Sequence, residues 1–168
     1  MLNVGYMKTG SDTYFNRLTE LLGNKKKLLN DMMALTKAQT PVIKIGSLDE
    51  LEKLIAEKQR LIELIDKLDA EFGVHLEKLK AAAGIKKLDE LDATRFPAAK
   101  QLKRATSEVL ELVREISDTE KINSVKGKEL LEQLGSQINK INQGKIINNA
   151  YNKPNIAGGS SFFVDKKK

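Results

Sequence analysis

The spacing of apolar residues in the first quarter of the chain predicts a long helix. Leucine, methionine and aromatic residues recur there at steps of three, four and seven, which is the period of a helix that buries one face. Ser11 or Asp12 is expected to cap this helix at its start. We expect the helix to end near Ala38, because Pro41 disfavours helical geometry in the residue before it. The apolar stripe consists of Tyr14, Phe15, Leu18, Leu21, Leu22, Leu28, Leu29, Met32 and Leu35.

A second long helix is predicted after a linker formed by residues 39–46, which we expect to pack on a helix. The sequence from Ser47 to Glu50 has the pattern of a capping box, in which each of these two side chains satisfies a free backbone N–H. Gly84 is expected to end the helix, since glycine adopts the left-handed conformation without strain. The second stripe consists of Leu48, Leu51, Leu54, Ile55, Leu61, Ile62, Ile65, Leu68 and Phe72.

A third long helix is predicted to begin at Pro97, because proline is favoured at the first helical position. The preceding residues, 85–96, hold enough isoleucine and leucine for one or two short helical turns. The third stripe consists of Leu102, Val109, Leu112, Val113, Ile116, Leu130, Leu131, Leu134, Ile138 and Ile141.

Polar residues interrupt each of the three stripes. Lys25 breaks the first stripe and Lys58 breaks the second. In the third helix, the heptad positions within residues 117–128 are polar or small instead of aliphatic, and they are Glu120, Asn123 and Gly127. Either the helix leaves its neighbours there, or these groups find partners inside the bundle; the pattern leaves both interpretations open.

The predicted fold class is all-α. We expect an elongated antiparallel bundle of three long helices plus a short helix, with coiled-coil-like packing and a flexible C-terminal tail. Residues 1–10 show no periodicity and are expected to be a flexible N-terminus, residues 11–141 form the bundle, and residues 142–168 form the tail. The tail is rich in Asn, Gly and Ser yet carries several large apolar residues, a combination typical of a segment that orders on a partner.

The charge of the chain is concentrated in this tail. The net charge is +6, and residues 142–168 hold five lysines and one aspartate, so +4 of it belongs to the tail and +2 to the rest. Nucleic-acid-binding proteins usually present a basic face with interleaved aromatic residues or a recognition motif. Residues 1–141 have no such pattern, so no nucleic-acid partner is expected.

Composition excludes several classes of site. The 168 residues include no cysteine and one histidine, which excludes disulfide scaffolds, thiol catalysis and histidine-rich metal sites within one chain. No apolar run reaches the roughly 18 residues of a membrane-spanning helix, and the first residues lack the apolar core of a signal peptide. We therefore expect a cytoplasmic protein without membrane insertion, metal or cofactor.

The remaining candidates for chemistry are few. His75 is the single histidine, and Phe72 stands where di-iron bundles place a glutamate, three residues before the ligand histidine. Two carboxylate clusters lie among lysines and are interpreted as solvated helix faces. The glycine–serine segment at residues 158–161 is interpreted as a flexible connection. The clusters are Asp66, Asp69 and Glu71, and Asp89, Glu90 and Asp92. No enzymatic activity is predicted.

The C-terminal part of the third stripe is the most distinctive feature. Leu130, Leu134, Ile138 and Ile141 run toward the apolar residues of the tail. Periodicity does not distinguish a buried bundle face from a groove for an amphipathic helix of a partner. The adjoining apolar tail favours a binding surface, because unpaired apolar patches usually mark interaction sites.

Three stretches of the chain resemble the FlgN-type flagellar export chaperones. The first helix, YFNRLTELLGNKKKLLNDMMALTKAQ, is similar to the opening helix of that family, with leucine pairs around lysine. The second, IGSLDELEKLIAEKQRLIELIDKLDAEF, is similar to its acidic and basic helix after a glycine-led turn. The third combines the asparagine-containing EKINSVKGKELLEQLGSQI with the tail segments AYNKPNIAG and FFVDKK, although Asn152 follows Tyr151 where the family usually has glycine.

The resemblance implies a cytoplasmic chaperone of the hook–filament junction (hook-associated) proteins. Such a chaperone binds the C-terminal region of its cargo, prevents premature assembly and delivers the cargo to the type III export gate. The resemblance also implies that Tyr151 binds the export gate and that cargo contacts Leu130, Leu131, Leu134, Ile138 and Ile141. The alternative is a structural, self-associating coiled-coil protein with no cargo, and a homo-oligomer is compatible with either hypothesis.

Overall fold

Three long helices make up most of the chain. The structure is a computed structural model that describes the backbone of residues 2–147 and the side chains of residues 11–144. Its elements are α1 (Leu2–Ile45), α2 (Leu48–Ala83) and α3 (Ala98–Ile147), with one 3₁₀ turn at Leu88–Glu90 between α2 and α3. No strand occurs within residues 2–147. The all-helical class and the three long helices are confirmed, whereas the predicted short helix is only the 3₁₀ turn.

Helix α1 lies between the other two helices and packs against both. Its contacts with α2 show that the two helices run in opposite directions. The Lys25 ammonium lies 2.7 Å from a carboxylate oxygen of Asp69, and further along α1 Gln39 accepts a hydrogen bond of 2.8 Å from Lys58. The partner numbers fall as the α1 numbers rise, as an antiparallel helix pair requires.

Helices α1 and α3 run in the same direction. Lys26 donates a hydrogen bond of 2.6 Å to Glu108, and Thr40 donates one of 2.6 Å to Asn123. The two pairs are separated by 82 and 83 positions in the chain, so the two helices stay in register over the distance between these pairs.

The predicted stripes supply the core. Phe15 is fully buried, and its ring centre lies 5.8 Å from that of Phe96 in the loop before α3. Lys103 donates a hydrogen bond of 2.9 Å to the carbonyl of Leu91 in the same loop, which holds this buried leucine against the bundle. The buried core cluster includes Leu18, Leu22, Leu29 and Met32 of α1, Leu61, Ile65 and Leu79 of α2, and Leu102 and Val109 of α3.

The predicted end of the first helix is wrong. Helix α1 continues through Pro41 to Ile45, so residues 39–45 of the expected linker are helical. Proline lacks an N–H and removes one helical hydrogen bond. Ile43, two residues later, is only 4% exposed, and burying such a side chain contributes about 1.5–3 kcal/mol, which offsets much of that loss.

The predicted start of the first helix is also wrong. Helix α1 begins at Leu2, so Ser11 and Asp12 lie inside it and cap nothing. Ser11 is buried, with 5% of its surface exposed. The flexibility expected of residues 1–10 stays a prediction.

Glycines end the first two helices in the same way. Gly46 has φ of 80°, and the Ser47 N–H donates 3.2 Å to the carbonyl of Val42, which is the six-to-one hydrogen bond of a Schellman motif. Gly84 has φ of 68°, and its role at the end of α2 is confirmed. Ser47 does occupy the N-cap of α2, but its side chain makes no capping hydrogen bond.

Lys58 is buried in the middle of the bundle and has partners on both neighbouring helices. Only 8% of its surface is exposed. Its ammonium donates 2.8 Å to Gln39 of α1 and forms an ion pair with Glu120 of α3. The lysine that interrupts the second stripe therefore links all three helices.

Asn123 adds a second link at the same level. Its amide donates 2.8 Å to the backbone carbonyl of Thr36, and its oxygen accepts 2.6 Å from the Thr40 hydroxyl. Helix α3 is continuous through residues 117–128, so the polar groups of this segment find partners inside the bundle. We call this set the polar layer, and it consists of Thr36, Gln39, Thr40, Lys58, Glu120 and Asn123.

We predict that Asn123→Ala destabilises the protein. The variant removes both hydrogen bonds of a side chain that is only 5% exposed, and leaving buried partners unsatisfied costs about 1–3 kcal/mol in the free energy of unfolding. Urea denaturation followed by circular dichroism measures this loss. Asn139→Ala, an exposed position of α3, is the matched control and should be neutral or slightly stabilising. Equal stability of the two variants would contradict the prediction.

Candidate partner-binding surface

Helix α3 is longer than the helix pair against which it packs. Leu130 lies at the turn between α1 and α2, where a methyl group placed on Gly46 would be 3.6 Å from its Cδ1. Helix α1 ends at Ile45, whereas α3 continues to Ile147. Residues 131–147 therefore extend beyond the turn by about 25 Å, at ~1.5 Å per residue. We call this segment the α3 extension.

The face of α3 that contacts α1 continues into the α3 extension. Ile116, Asn123 and Leu130 are separated by steps of seven residues and lie on one face of the helix. Ile116 packs against the core and Asn123 binds α1. From Leu130 onward, steps of four, four and three keep aliphatic residues on this face, with Leu131 beside it. The apolar strip consists of Leu130, Leu131, Leu134, Ile138 and Ile141.

The apolar strip is not part of the buried core. Leu102 and Val109, on the bundle part of α3, are 1% and 6% exposed. In the strip, the first four residues are only half-buried and Ile141 is 55% exposed. Within the described residues, an apolar face typical of a bundle interior thus lies open where α1 has ended.

The first carboxylate cluster serves as a set of ion-pair partners for α1. Asp69 binds Lys25, and Glu71 forms an ion pair with Arg17. The hydrogen bond from the Arg17 guanidinium holds the pKa of Glu71 below its usual range. Asp66 is exposed. Asp69 and Glu71 therefore connect α2 to α1 at the surface.

The second carboxylate cluster orders the loop before α3. Glu90 accepts a hydrogen bond of 2.8 Å from the Lys86 N–H, and Asp92 accepts one of 2.9 Å from the Thr94 N–H. Hydrogen bonds from the side chain and backbone of Thr94 hold the pKa of Asp92 below its usual range.

His75 lies one helical turn after Glu71. Its Nε2 is 3.8 Å from the Glu71 carboxylate, which already binds Arg17. Among residues whose side chains the structure describes, no group of three or more His, Cys, Asp or Glu could hold a metal ion.

A family model, described as FlgN protein, matches residues 7–155. The chain belongs to the FlgN family. The match includes almost all of the three helices and reaches beyond the described residues to Tyr151. No curated protein matches the chain, and no solved structure matches it.

Membership confirms the resemblance found in the sequence. The FlgN family comprises flagellar export chaperones, which bind flagellar proteins during flagellum assembly and are not known as enzymes. Of the described helices in this FlgN-family protein, none is long and apolar enough to cross a membrane.

The structure positions five of the six predicted site residues. Leu130 lies at the turn between α1 and α2, and Leu131, Leu134, Ile138 and Ile141 follow it on the α3 extension. Tyr151, the residue expected to bind the export gate, lies outside the described residues.

Sequence reasoning missed one candidate contact residue. Ile45 was assigned to a linker packed on a helix, but it ends α1 with 80% of its surface exposed. It directly precedes the turn that Leu130 contacts, so an apolar side chain also marks the base of the α3 extension. The preference against helical geometry before Pro41 predicts a helix end near Ala38 and therefore places Ile45 in the linker. For this reason the sequence did not indicate that Ile45 is exposed at the end of α1.

We predict that Leu134→Ala and Leu102→Ala affect stability differently. Leu102 is fully packed, so its truncation should lower the free energy of unfolding by about 2–5 kcal/mol. Leu134 lies beyond the bundle, and its truncation should stay within about 0.5 kcal/mol of the parent protein. Chemical denaturation of both variants measures the difference. Comparable losses would show that the apolar strip is packed like the core.

Proposed function

We propose that this FlgN-family chaperone binds the C-terminal region of hook–filament junction proteins on the apolar strip of the α3 extension. In the cytoplasm it prevents their premature assembly and delivers them to the type III export gate. The observation that carries the proposal is the continuation of the α1-facing side of α3 beyond the end of α1. Family membership supplies the chaperone role, and the strip supplies a place for cargo.

The shape of the strip suits one helix of a partner. Along the bundle, this face of α3 packs against α1, a helix that runs parallel to it. Beyond Ile45 that position is open, so an amphipathic cargo helix could continue along the line of α1 with its apolar face on Leu134 and Ile138. Recognition through apolar positions at steps of three and four is the usual mode of helix-in-groove binding.

The surroundings of the strip favour apolar over electrostatic recognition. The exposed charges of the neighbouring turns of α3 are of both signs: Lys128 and Lys140 against Glu129 and Glu132. Neither sign dominates, so charge alone does not select a partner. Specificity for a cargo helix would then rest mainly on shape and apolar spacing.

Self-association through the same stripes is the second candidate function. The interrupting lysines count against it, because each has a partner within its own chain: Lys25 binds Asp69, and Lys58 binds Gln39 and Glu120. The polar interruptions are thus explained by intramolecular packing. A stable multimer in sedimentation that binds no flagellar subunit would favour the second candidate.

We predict that Leu134→Asp weakens cargo binding. A carboxylate placed on the apolar strip must lose water when cargo binds, and a cost of about 1–3 kcal/mol corresponds to a rise in Kd of roughly 5-fold to 150-fold. Isothermal titration with a purified junction protein measures the Kd, with thermal unfolding recorded alongside. Gln137→Asp, at an exposed position of α3 outside the strip, is the matched control. An unchanged Kd for Leu134→Asp would overturn the cargo site.

We predict that Tyr151→Ala reduces export without loss of cargo binding. Tyr151 lies outside the helical stripes, so the helical content and the cargo Kd should stay near those of the parent protein. Secretion of junction proteins should fall, because the proposed contact with the export gate is removed. Asn152→Ala controls for a change in the same segment. Loss of cargo affinity in Tyr151→Ala would contradict the separate roles of strip and tail.

A further inference from the structure

We propose that residues 156–164 of the same chain occupy the apolar strip when cargo is absent, so that cargo must displace them. The inference rests on the proposed cargo site and adds a competitor for it. Residues 148–168 lie outside the described residues. Three features support this occupant: the open strip, the length of the chain that follows it, and the chemistry of that chain.

The chain after α3 has the side chains that the strip requires. Residues 156–164 read IAGGSSFFV, with four large apolar residues, Ile156, Phe162, Phe163 and Val164. The preceding residues 148–155 are NNAYNKPN, whose asparagines and proline favour a reversal of chain direction. To occupy the strip, the chain must reverse direction after α3 and then present apolar side chains. Residues 148–155 and 156–164 have the composition for these two steps.

The connection is long enough for this return. The centre of the strip, near Ile138, lies about 14 Å back from the end of α3 at Ile147, at ~1.5 Å per helical residue. The chain from Ile147 to Ile156 can span up to about 30 Å when extended, at ~3.3 Å per residue. Ile156 can therefore reach Ile141 or Ile138. The six to eight residues from Ile156 to residues 162–164 span up to about 20–26 Å when extended, which is enough to reach Leu134 and Leu131, about 10–15 Å from Ile141 along α3.

The charges at the base of the α3 extension are compatible with a tail that runs from Ile141 toward Leu131. The three terminal residues, Lys166–Lys168, would lie near the turn between α1 and α2. Exposed carboxylates there belong to Asp49, Glu50, Glu52, Glu129 and Glu132. Exposed lysines at the same end are Lys44, Lys53 and Lys128, so the attraction is weak and the apolar contact is the main contribution.

The size of the strip favours a tethered occupant over a second copy of the chain. Leu130 to Ile141 spans only about 17 Å of helix at ~1.5 Å per residue. A stable protein–protein interface buries about 800 Å² on each partner, more than one short helical face provides. A segment tethered nearby has an effective concentration in the millimolar range, so even weak affinity fills the site.

The experiment compares the full chain with a Phe162→Ser, Phe163→Ser double variant. Amide hydrogen exchange is measured for residues 131–144 without cargo, together with the Kd for a purified junction protein. Ser160→Ala with Ser161→Ala is the control in the same segment. We expect faster exchange in the phenylalanine variant and a Kd about threefold lower or more, because a tethered competitor has been removed.

Three outcomes would overturn the inference. The first is an equal rate of amide exchange for residues 131–144 in the parent and the phenylalanine variant. The second is protection of these amides that rises with protein concentration, which would indicate a second copy of the chain. The third is protection of residues 156–164 that increases when cargo binds. The exchange measurement needs no cargo, so it tests docking of the tail independently of the cargo site. Leu134→Asp tests that site separately, which keeps a failure of the proposed function distinguishable from a failure of this inference.

Discussion

The ion pair between the buried Lys58 and the half-buried Glu120 sets the position of α3 along the bundle. Apolar stripes tolerate displacement by one heptad, because one leucine replaces another in each contact. A buried ammonium does not, because losing its partners would leave a charge away from water, which lowers the free energy of unfolding. Asn123 adds hydrogen bonds to α1 at the same level. A single polar group in an otherwise apolar seam fixes register in coiled coils in the same manner.

This register determines what is exposed at the end of the molecule. With α3 held at Asn123, Leu130 meets the turn at Gly46, and every later residue of the same face has passed the end of α1. A displacement of α3 by two heptads toward its N-terminus would cover Leu134 and Ile138. The open strip is thus a consequence of polar contacts in the bundle interior.

Sequence reasoning succeeded where one periodicity decides the structure, and most buried apolar residues of the three helices belong to the predicted stripes. Two predicted stripe residues, Ile62 and Val113, are instead 38% and 42% exposed. It failed at α1, where tertiary burial of Ile43 offsets much of the local preference against proline. It identified Lys58, Glu120 and Asn123 as interruptions but could not show that they meet, because their contacts cross between helices. It did not decide whether the strip is bundle core or a binding groove. Leu102 and Leu134 belong to the same apolar periodicity, and they differ only in whether another helix packs against them.

One helix face therefore has two roles that are separated along its length. Before Leu130 it contributes to the stability of the bundle, and after Leu130 no helix among the described residues covers its apolar surface, where we propose that association occurs. The free part is short, and interfaces well below standard size are typical of transient complexes. The proposed delivery of cargo to the export gate requires reversible binding, and a short strip is compatible with it. The fixed position of α3 limits the strip to this short length.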